Sequence, residues 1–372
     1  MKSPLYEWHQ KQEAKLADFG GWQMPIEYPK GVMASGKNLP GGTIAEHTAV
    51  RERVGIFDVS HLGKISVTGA GAKNYINTLI TNDLNRISAG QAQYTLMCDD
   101  SGGVIDDLIV YEITDSQLFL VPNAANCAEV EKRIKLKAPA NLEVVNEHQG
   151  YGVLALQGPK SDEVLKKLGL SVSLEYMSFV QVTSNDFGDL IICRTGYTGE
   201  FGYELLPKWH NTLKLWESLV HAVADLDGAV CGLGARDTLR TEMGYPLHGH
   251  ELSLEITPIQ ASASWAVVID KPEFSGKSAL VKEKEAGVKT ALRAIKISDR
   301  GIPRAGMKVM DESGAEIGTV TSGTFSPTLR QGIALALVKP EFKSGSKVLI
   351  DIRGRTSNGE LVKLPFVDSH VK

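Results

Sequence analysis

Gly102-Gly103-Val104-Ile105-Asp106-Asp107-Leu108-Ile109-Val110-Tyr111 carries two adjacent carboxylates out of a two-glycine turn and into an apolar, β-branched strand. Successive side chains of a strand point to opposite faces, so Asp107, Ile109 and Tyr111 share one side while Asp106, Leu108 and Val110 share the other. The two aspartates are therefore not a facing dyad. One of them can close the turn through local hydrogen bonds, as Asp after Gly commonly does. The other must face whatever the strand covers. A buried charge without a partner is costly, so it implies either a structural cation or a pocket that uses the carboxylate.

Outward from this strand, the segment from Ile65 to about Asn146 alternates short apolar runs with helical patterns such as Ala70 to Leu79 and Ala125 to Leu136, an α+β texture. Upstream, the polar, Gly-rich Lys30 to Thr43 is expected to be a loop, Glu46 to Arg53 a short helix, and Gly55 to His61 a segment that runs into a strand. Downstream, Leu190 to Arg194 and Gly202 to Leu206 are expected to flank a hairpin turn, Thr195-Gly196-Tyr197-Thr198-Gly199-Glu200. Thr212 to Ala224 has amphipathic spacing, with Asn211 or Thr212 as its cap. The charged stretch from Val281 to Thr290 is a helix end plus a linker, which divides the chain into 1–280 and 291–372. Beyond it, Leu292 to Ile297, Lys308 to Met310, Glu316 to Ser322, Gly332 to Val338 and Lys347 to Ile352 are separated by Gly, Pro, Asp and Asn turns. That spacing predicts a small antiparallel barrel or sandwich.

Composition narrows the class. A chain of 372 residues with 42% hydrophobic and 23% charged residues is globular in type and long enough for two or three domains. The net charge of -4 and the absence of a Lys/Arg run argue against a nucleic-acid partner. No stretch approaches the length of apolar sequence that spans a bilayer, and the first residues hold no apolar signal core, so no membrane is expected and the protein is assigned to the cytoplasm. Cys98, Cys127, Cys193 and Cys231 lie far apart with no Cys-x-x-Cys, which fits reduced, buried thiols. His248-Gly249-His250-Glu251 suggests a metal, but no third ligand follows at a recognisable spacing, so none is expected. Gly232-Leu233-Gly234 precedes a helix, yet Asp237 occupies the place of a dinucleotide fingerprint's third glycine. Gly196, Gly199 and Gly202 lack the pattern of a phosphate cradle and are assigned to turn geometry.

Five motifs follow one another along the chain: Asp58-Val59-Ser60-His61; Gly102 to Asp107; Thr195 to Glu200 with Gly202-Tyr203-Glu204; Gly232 to Asp237; and Thr321-Ser322-Gly323-Thr324-Phe325-Ser326-Pro327-Thr328-Leu329. In this order and spacing the chain resembles the aminomethyltransferases, the T-proteins of the glycine cleavage system, over nearly its whole length. The resemblance implies a three-lobed arrangement: a two-lobed folate-binding part followed by a C-terminal antiparallel β-barrel. It also implies a reaction in which the methylene of an aminomethyl group, carried on the lipoyl arm of an H-protein, passes to the co-substrate tetrahydrofolate. Ammonia and 5,10-methylenetetrahydrofolate leave, and no metal takes part. The same fold serves folate-dependent demethylases and non-enzymatic iron–sulfur repair factors. The latter usually carry a cysteine where this chain has Arg194-Thr195-Gly196-Tyr197-Thr198-Gly199-Glu200.

By its place in the motif, Asp107 is similar to the family's catalytic carboxylate, and Asp106 falls to the turn. A carboxylate there could raise the nucleophilicity of a folate nitrogen, accept a proton, or stabilise a developing cation. Glu204 and Arg236 match positions that meet the pterin edge, where a carboxylate accepts paired N–H donors and a guanidinium meets the carbonyl. Tyr94, Tyr197 and Tyr245 match folate-contact positions; Tyr111, on the strand face of Asp107, joins them, with Asn123 and Trp265. The bland competitor for Trp265, set among Ser262-Ala263-Ser264, is plain core. For Arg236 and Asp237 it is an ion pair at a helix start. Lys30 to Thr43 lengthens the link that family members make ahead of Glu46-His47-Thr48-Ala49-Val50-Arg51, and no ligand contact is carried onto Asp368 to Lys372.

Overall fold

In the computed structural model, which describes residues 1–352 and 354–372, the two-glycine turn opens the strand Val104–Thr114. Gly102 needs its left-handed φ of +88°, whereas Gly103 lets two backbones meet: a Cβ there would lie 1.9 Å from the Leu254 carbonyl oxygen. The strand sits inside an antiparallel five-stranded sheet, in the order Glu143–Asn146, Ile65–Thr68, Gln117–Val121, Val104–Thr114, Gln91–Cys98. Its register against Gln91–Cys98 slips between Met97 and Cys98: Met97 faces Asp106 and Cys98 faces Val104, so Ile105 is the extra residue of a bulge. Beyond the bulge, Leu96 lies opposite Asp107, Tyr94 opposite Ile109 and Ala92 opposite Tyr111.

Alternation decides what each face covers. Leu108, Val110 and Leu120 pack outward with Ile76, Val130 and Ile134 of the helices Ala72–Asn77 and Cys127–Leu136. Tyr111 and Phe119 pack inward with Phe57, Val59, Val153, Ala155, Phe179 and Ile191 of the second sheet. That sheet runs Phe179–Ser184, Gly188–Cys193, Gly202–Pro207, Leu154–Gln157, Gly55–Asp58, Ala229–Cys231, with only the last pair parallel. Its far face is closed by the helix Thr212–Asp225, which buries Leu215, Trp216, Leu219 and Val223. The α+β expectation holds.

The third lobe is a closed barrel of Ala291–Ile297, Gln331–Val338, Glu316–Ser326, Lys308–Met310, Lys347–Ile352 and Arg355–Val362, which rules out the sandwich alternative. The closing strand Arg355–Val362 has no apolar run in sequence. It is held because Ser357, Gly359 and Leu361 alternate inward while the strand pairs on both sides. The barrel docks on the helix Leu233–Met243. There Arg240 Nη2 donates to Ser322 Oγ at 2.7 Å, and Glu242 accepts from Ser326 and Thr328.

Three expectations need correction. Lys30 to Thr43 is not simply a loop: Val32–Ala34 and Lys37–Leu39 form a hairpin, because Val32, Ala34 and Leu39 reach the core around Trp216. Asn211 and Thr212 do not cap the helix Thr212–Asp225 with a side chain; a 3₁₀ turn, Trp209–Asn211, runs straight into it. Of the three glycines at 196, 199 and 202, only Gly199 has a left-handed φ, +81°. The other two are demanded by close approach, since a Cβ would stand 2.2 Å from Gln157 Oε1 and 2.5 Å from the Leu156 oxygen. No described helix is long and apolar enough to cross a membrane, and all four thiols are free and buried.

Candidate active site

Asp107 leaves the strand on the inward face, half-buried, where Tyr94 donates its hydroxyl to Oδ2 at 3.0 Å and Asn123 Nδ2 donates to Oδ1 at 2.9 Å. Burial raises its pKa above the ordinary carboxylate range, opposed by the Tyr94 hydrogen bond, the positive pull of His248 and the Asn123 amide. Asp106 is not a turn residue. It is 0% exposed and accepts from the Asn123 backbone N–H at 2.9 Å, Asn123 Nδ2 at 2.9 Å and Asn126 Nδ2 at 2.7 Å. The bulge moves both carboxylates past the turn, whose own hydrogen bonds are closed by Asp99 to Ser101 and Gly103 instead. Burial first, and then repulsion from Asp107, hold Asp106 well above the usual range, so a charge on either carboxylate disfavours a charge on the other although they point to opposite faces.

Trp265 is not core. The 3₁₀ turn Ser264–Ala266 turns it outward, 67% exposed, and its ring stacks on Tyr94 with centroids 5.2 Å apart and planes 25° from parallel. An exposed indole stacked on the phenol that holds Asp107 makes a flat wall beside the carboxylate.

Glu204 lies buried on the strand Gly202–Pro207 and accepts from Thr195 Oγ1 at 2.5 Å. Thr195 in turn lies 3.3 Å from the Tyr111 hydroxyl. Tyr111 is 3% exposed with its ring edge-on to Phe179, so it joins the two sheets and reaches the site only through Thr195. Arg236 leaves the first turn of the helix Leu233–Met243 and lays its guanidinium 4.7 Å from the Tyr197 ring centre. It does not pair with Asp237, which bonds Arg240 at 2.7 Å one turn on. Among the described residues Arg236 Nη1 is buried with no partner, and the nearby Glu204 carboxylate opposes the burial that lowers its pKa. Tyr197 and Tyr245 tilt against each other at 5.6 Å, the Tyr197 hydroxyl held by the Pro246 carbonyl. Tyr197 is near enough for its ionisation to feel Asp107 and Arg236, which links the Asp107, Tyr94, Asn123 and Trp265 group to that of Arg236, Tyr197 and Tyr245.

Two histidines escape the sequence reading. His61 ends the Asp58 to His61 motif with Nδ1 buried and unpartnered; burial, with Arg236 beside it, pushes its pKa down to about 3, so it stays neutral. The unbroken motif is the available signal. His248, passed over with the rejected metal motif, donates Nε2–H to the Val104 carbonyl at 3.1 Å. The remainder of that motif is structural: His250 bonds the Thr321 carbonyl at 3.0 Å, and Glu251 pairs with Arg240 at 2.9 Å. No cluster of three or more metal-ligating side chains exists among the described residues. The C-terminal tail also lies against the site loop, through Arg194 Nη2 on the Val371 carbonyl at 2.6 Å and His370 Nδ1 on Glu200 at 3.0 Å.

Residues 5–271 match the GCVT N-terminal domain family, and residues 291–368 match the glycine cleavage T-protein C-terminal barrel domain. The chain is 54% identical over 368 residues to an aminomethyltransferase of Parafrankia sp. (strain EAN1pec), covering 99% of this chain and 98% of the relative. It is 49% identical over 369 residues to an aminomethyltransferase of Mycobacterium avium (strain 104), covering 99% and 97%. The structure of glycine cleavage system aminomethyltransferase T from Bartonella henselae superposes with a TM-score of 0.89 at 32% identity, over 100% of this chain and 99% of that one. The chain belongs to the glycine cleavage T-protein family. Within that class it is an enzyme, an aminomethyltransferase of the glycine cleavage system.

Proposed function

We propose that the co-substrate is tetrahydrofolate, that the donor is an aminomethyl group on the lipoyl arm of an H-protein, and that Asp107 is the catalytic carboxylate. The observation that carries this reading is the unmet hydrogen bonding of a buried arginine near a buried carboxylate. A buried guanidinium nitrogen on Arg236 lacks an acceptor, and Glu204 beside it has accepting capacity left after Thr195. A pterin edge supplies the carbonyl for the first and N–H donors for the second. Flat rings at Tyr94, Tyr197, Tyr245 and Trp265 suit a conjugated ligand with a polar rim. Tyr111 acts by holding Thr195, and so Glu204, in place.

When bound, the folate supplies two nucleophilic nitrogens. Burial raises the Asp107 pKa and so makes the carboxylate a better proton acceptor, and Tyr94 and Asn123 fix both its oxygens. Trp265, at the open side, offers the apolar surface over which a carrier's lipoyl chain would enter. The buried free thiols suit a reducing compartment, and the cytoplasm is the proposed location. The test is a single-turnover assay of tetrahydrofolate with either aminomethyl-lipoyl H-protein or a free methyl donor such as dimethylglycine. Ammonia is expected from the loaded carrier and only with folate present. Product from the free donor alone overturns the choice of donor.

A further inference from the structure

The proposed transfer moves two protons, and any role for a second proton carrier rests on that transfer. Two folate N–H bonds break and two C–N bonds form on the methylene. The donor's C–S and C–N bonds break, one proton goes to the sulfur and one to the nitrogen that leaves as ammonia, and nothing is oxidised or reduced. One carboxylate carries one proton at a time. Asp106 cannot serve as the second carrier, because it is sealed on the opposite strand face behind Asn123 and Asn126.

The segment after the helix Leu233–Met243 brings another group to the same place. The Val104 carbonyl accepts from His248 Nε2 at 3.1 Å, and the Val104 N–H donates to the Ser253 carbonyl at 2.7 Å, so residues 248 to 253 are clamped onto the start of the catalytic strand three residues before Asp107. A carbonyl can only accept, so Nε2 keeps its proton, and it is Nδ1 that is left to exchange one. Among the described residues Nδ1 has no protein partner and is not sealed from solvent. The geometry points to His248, clamped onto the start of the strand that carries Asp107, as a second proton carrier of the reaction, working through Nδ1.

Imidazole is the side chain whose ordinary pKa lies nearest neutrality, which suits a group that must both take and give a proton. Its positive form favours the ionised form of Asp107. The other titratable groups of the elements around it are committed elsewhere. Tyr94, on the paired strand, is kept protonated by burial and by Asp107. Tyr197 is pushed far up by burial. On its own segment Glu251 is paired with Arg240, and His250 faces the barrel at Thr321.

His248→Gln in the full-length chain keeps an amide donor for Val104 and removes the titrating ring. The expected result is a fall in kcat of roughly tenfold, with the folate KM within about twofold, and a kcat–pH profile that differs in shape from the parent's. Added imidazole should restore part of the rate. A variant with the parent's kcat and pH profile overturns the role. A second measurement needs neither turnover nor that variant: the His248 ring titration followed by nitrogen NMR in the parent and in Asp107→Asn. Losing the carboxylate should lower the midpoint by about half a pH unit or more. An unchanged midpoint means that the two side chains do not share a field, and the proposal falls. A parent that releases no ammonia from the loaded carrier defeats the transfer itself, while an active parent with an equally active His248→Gln defeats only the assignment of His248.

Discussion

Asn123 Nδ2 stands 2.9 Å from both Asp106 Oδ1 and Asp107 Oδ1, so one loop amide ties together two carboxylates that the strand sends to opposite faces. Both lie in a setting where burial pushes carboxylate pKa values up, and Asn123 is among the groups that push back. Asn123→Ala should therefore raise the pH at which Asp107 ionises and move the acidic limb of the kcat/KM profile to higher pH. Asp106 loses two of its three donor contacts if the loop relaxes, and a stability loss of about 1–3 kcal/mol should accompany the shift in denaturant unfolding. An acidic limb left where the parent has it would break the link between the two carboxylates.

Asp107→Asn keeps the shape of the side chain and its partners at Tyr94 and Asn123 while removing charge and basicity. Turnover should fall by roughly 10²–10⁴-fold. Folate affinity, measured by calorimetric titration, should change much less, since proton transfer acts in the transition state. Near-parent turnover at saturating folate would remove Asp107 from the chemistry.

Much of this is legible in the sequence because local periodicity decides local structure. The bounds of Lys308–Met310 and Lys347–Ile352 follow from apolar alternation and turn residues alone. What escapes depends on partners far along the chain. Asp106 reads as a turn residue because its donors sit 17 and 20 residues away. Trp265 reads as a folate contact with plain core as its competitor, since small neighbours suggest close packing, and it is the Ser264–Ala266 turn that points the ring outward. His248 reads only as a metal ligand, and nothing in its spacing predicts the carbonyl of Val104, 144 residues away. The strand Arg355–Val362 goes unseen because barrel closure, rather than an apolar pattern, holds it in place.

Removal of Arg236 separates a binding role from a structural one. Among the described residues its Nη1 has no partner, so Arg236→Ala strands no described acceptor there and gives up mainly the contact with the Tyr197 ring, worth about 0.5–1 kcal/mol. Tetrahydrofolate affinity should drop by roughly tenfold to a hundredfold, as it should for Glu204→Gln, because a charge-assisted contact is worth about 1.5–3 kcal/mol. Calorimetry and thermal melting on the same samples decide. Parent-like binding with a large loss of melting temperature would make the pair structural.

Glu242 ties the helix Leu233–Met243 to both the first lobes and the barrel, and this makes acid stability a test of the junction. Its buried carboxylate accepts from His47 at 2.8 Å, Arg51 at 2.7 Å and Thr328 at 3.2 Å, with Ser326 on the other oxygen. Burial works against the charge, but His47, Arg51 and Ser326 outweigh it and hold the pKa down to about 2, against an ordinary 4.5. A carboxylate with a depressed folded-state pKa contributes stability that is complete above the unfolded-state value and disappears as pH falls through the folded-state value. The window therefore runs from about pH 5 down to about 2, and the contribution is on the order of 3 kcal/mol. Glu242→Gln should be less stable than the parent at pH 7 by a similar amount, and its denaturant midpoint should vary less across that window. Barrel melting should also separate from the rest, since Ser326 and Thr328 lose their common acceptor. Parallel stability curves for the two proteins between pH 7 and 3 would show that the junction does not rest on the Glu242 charge.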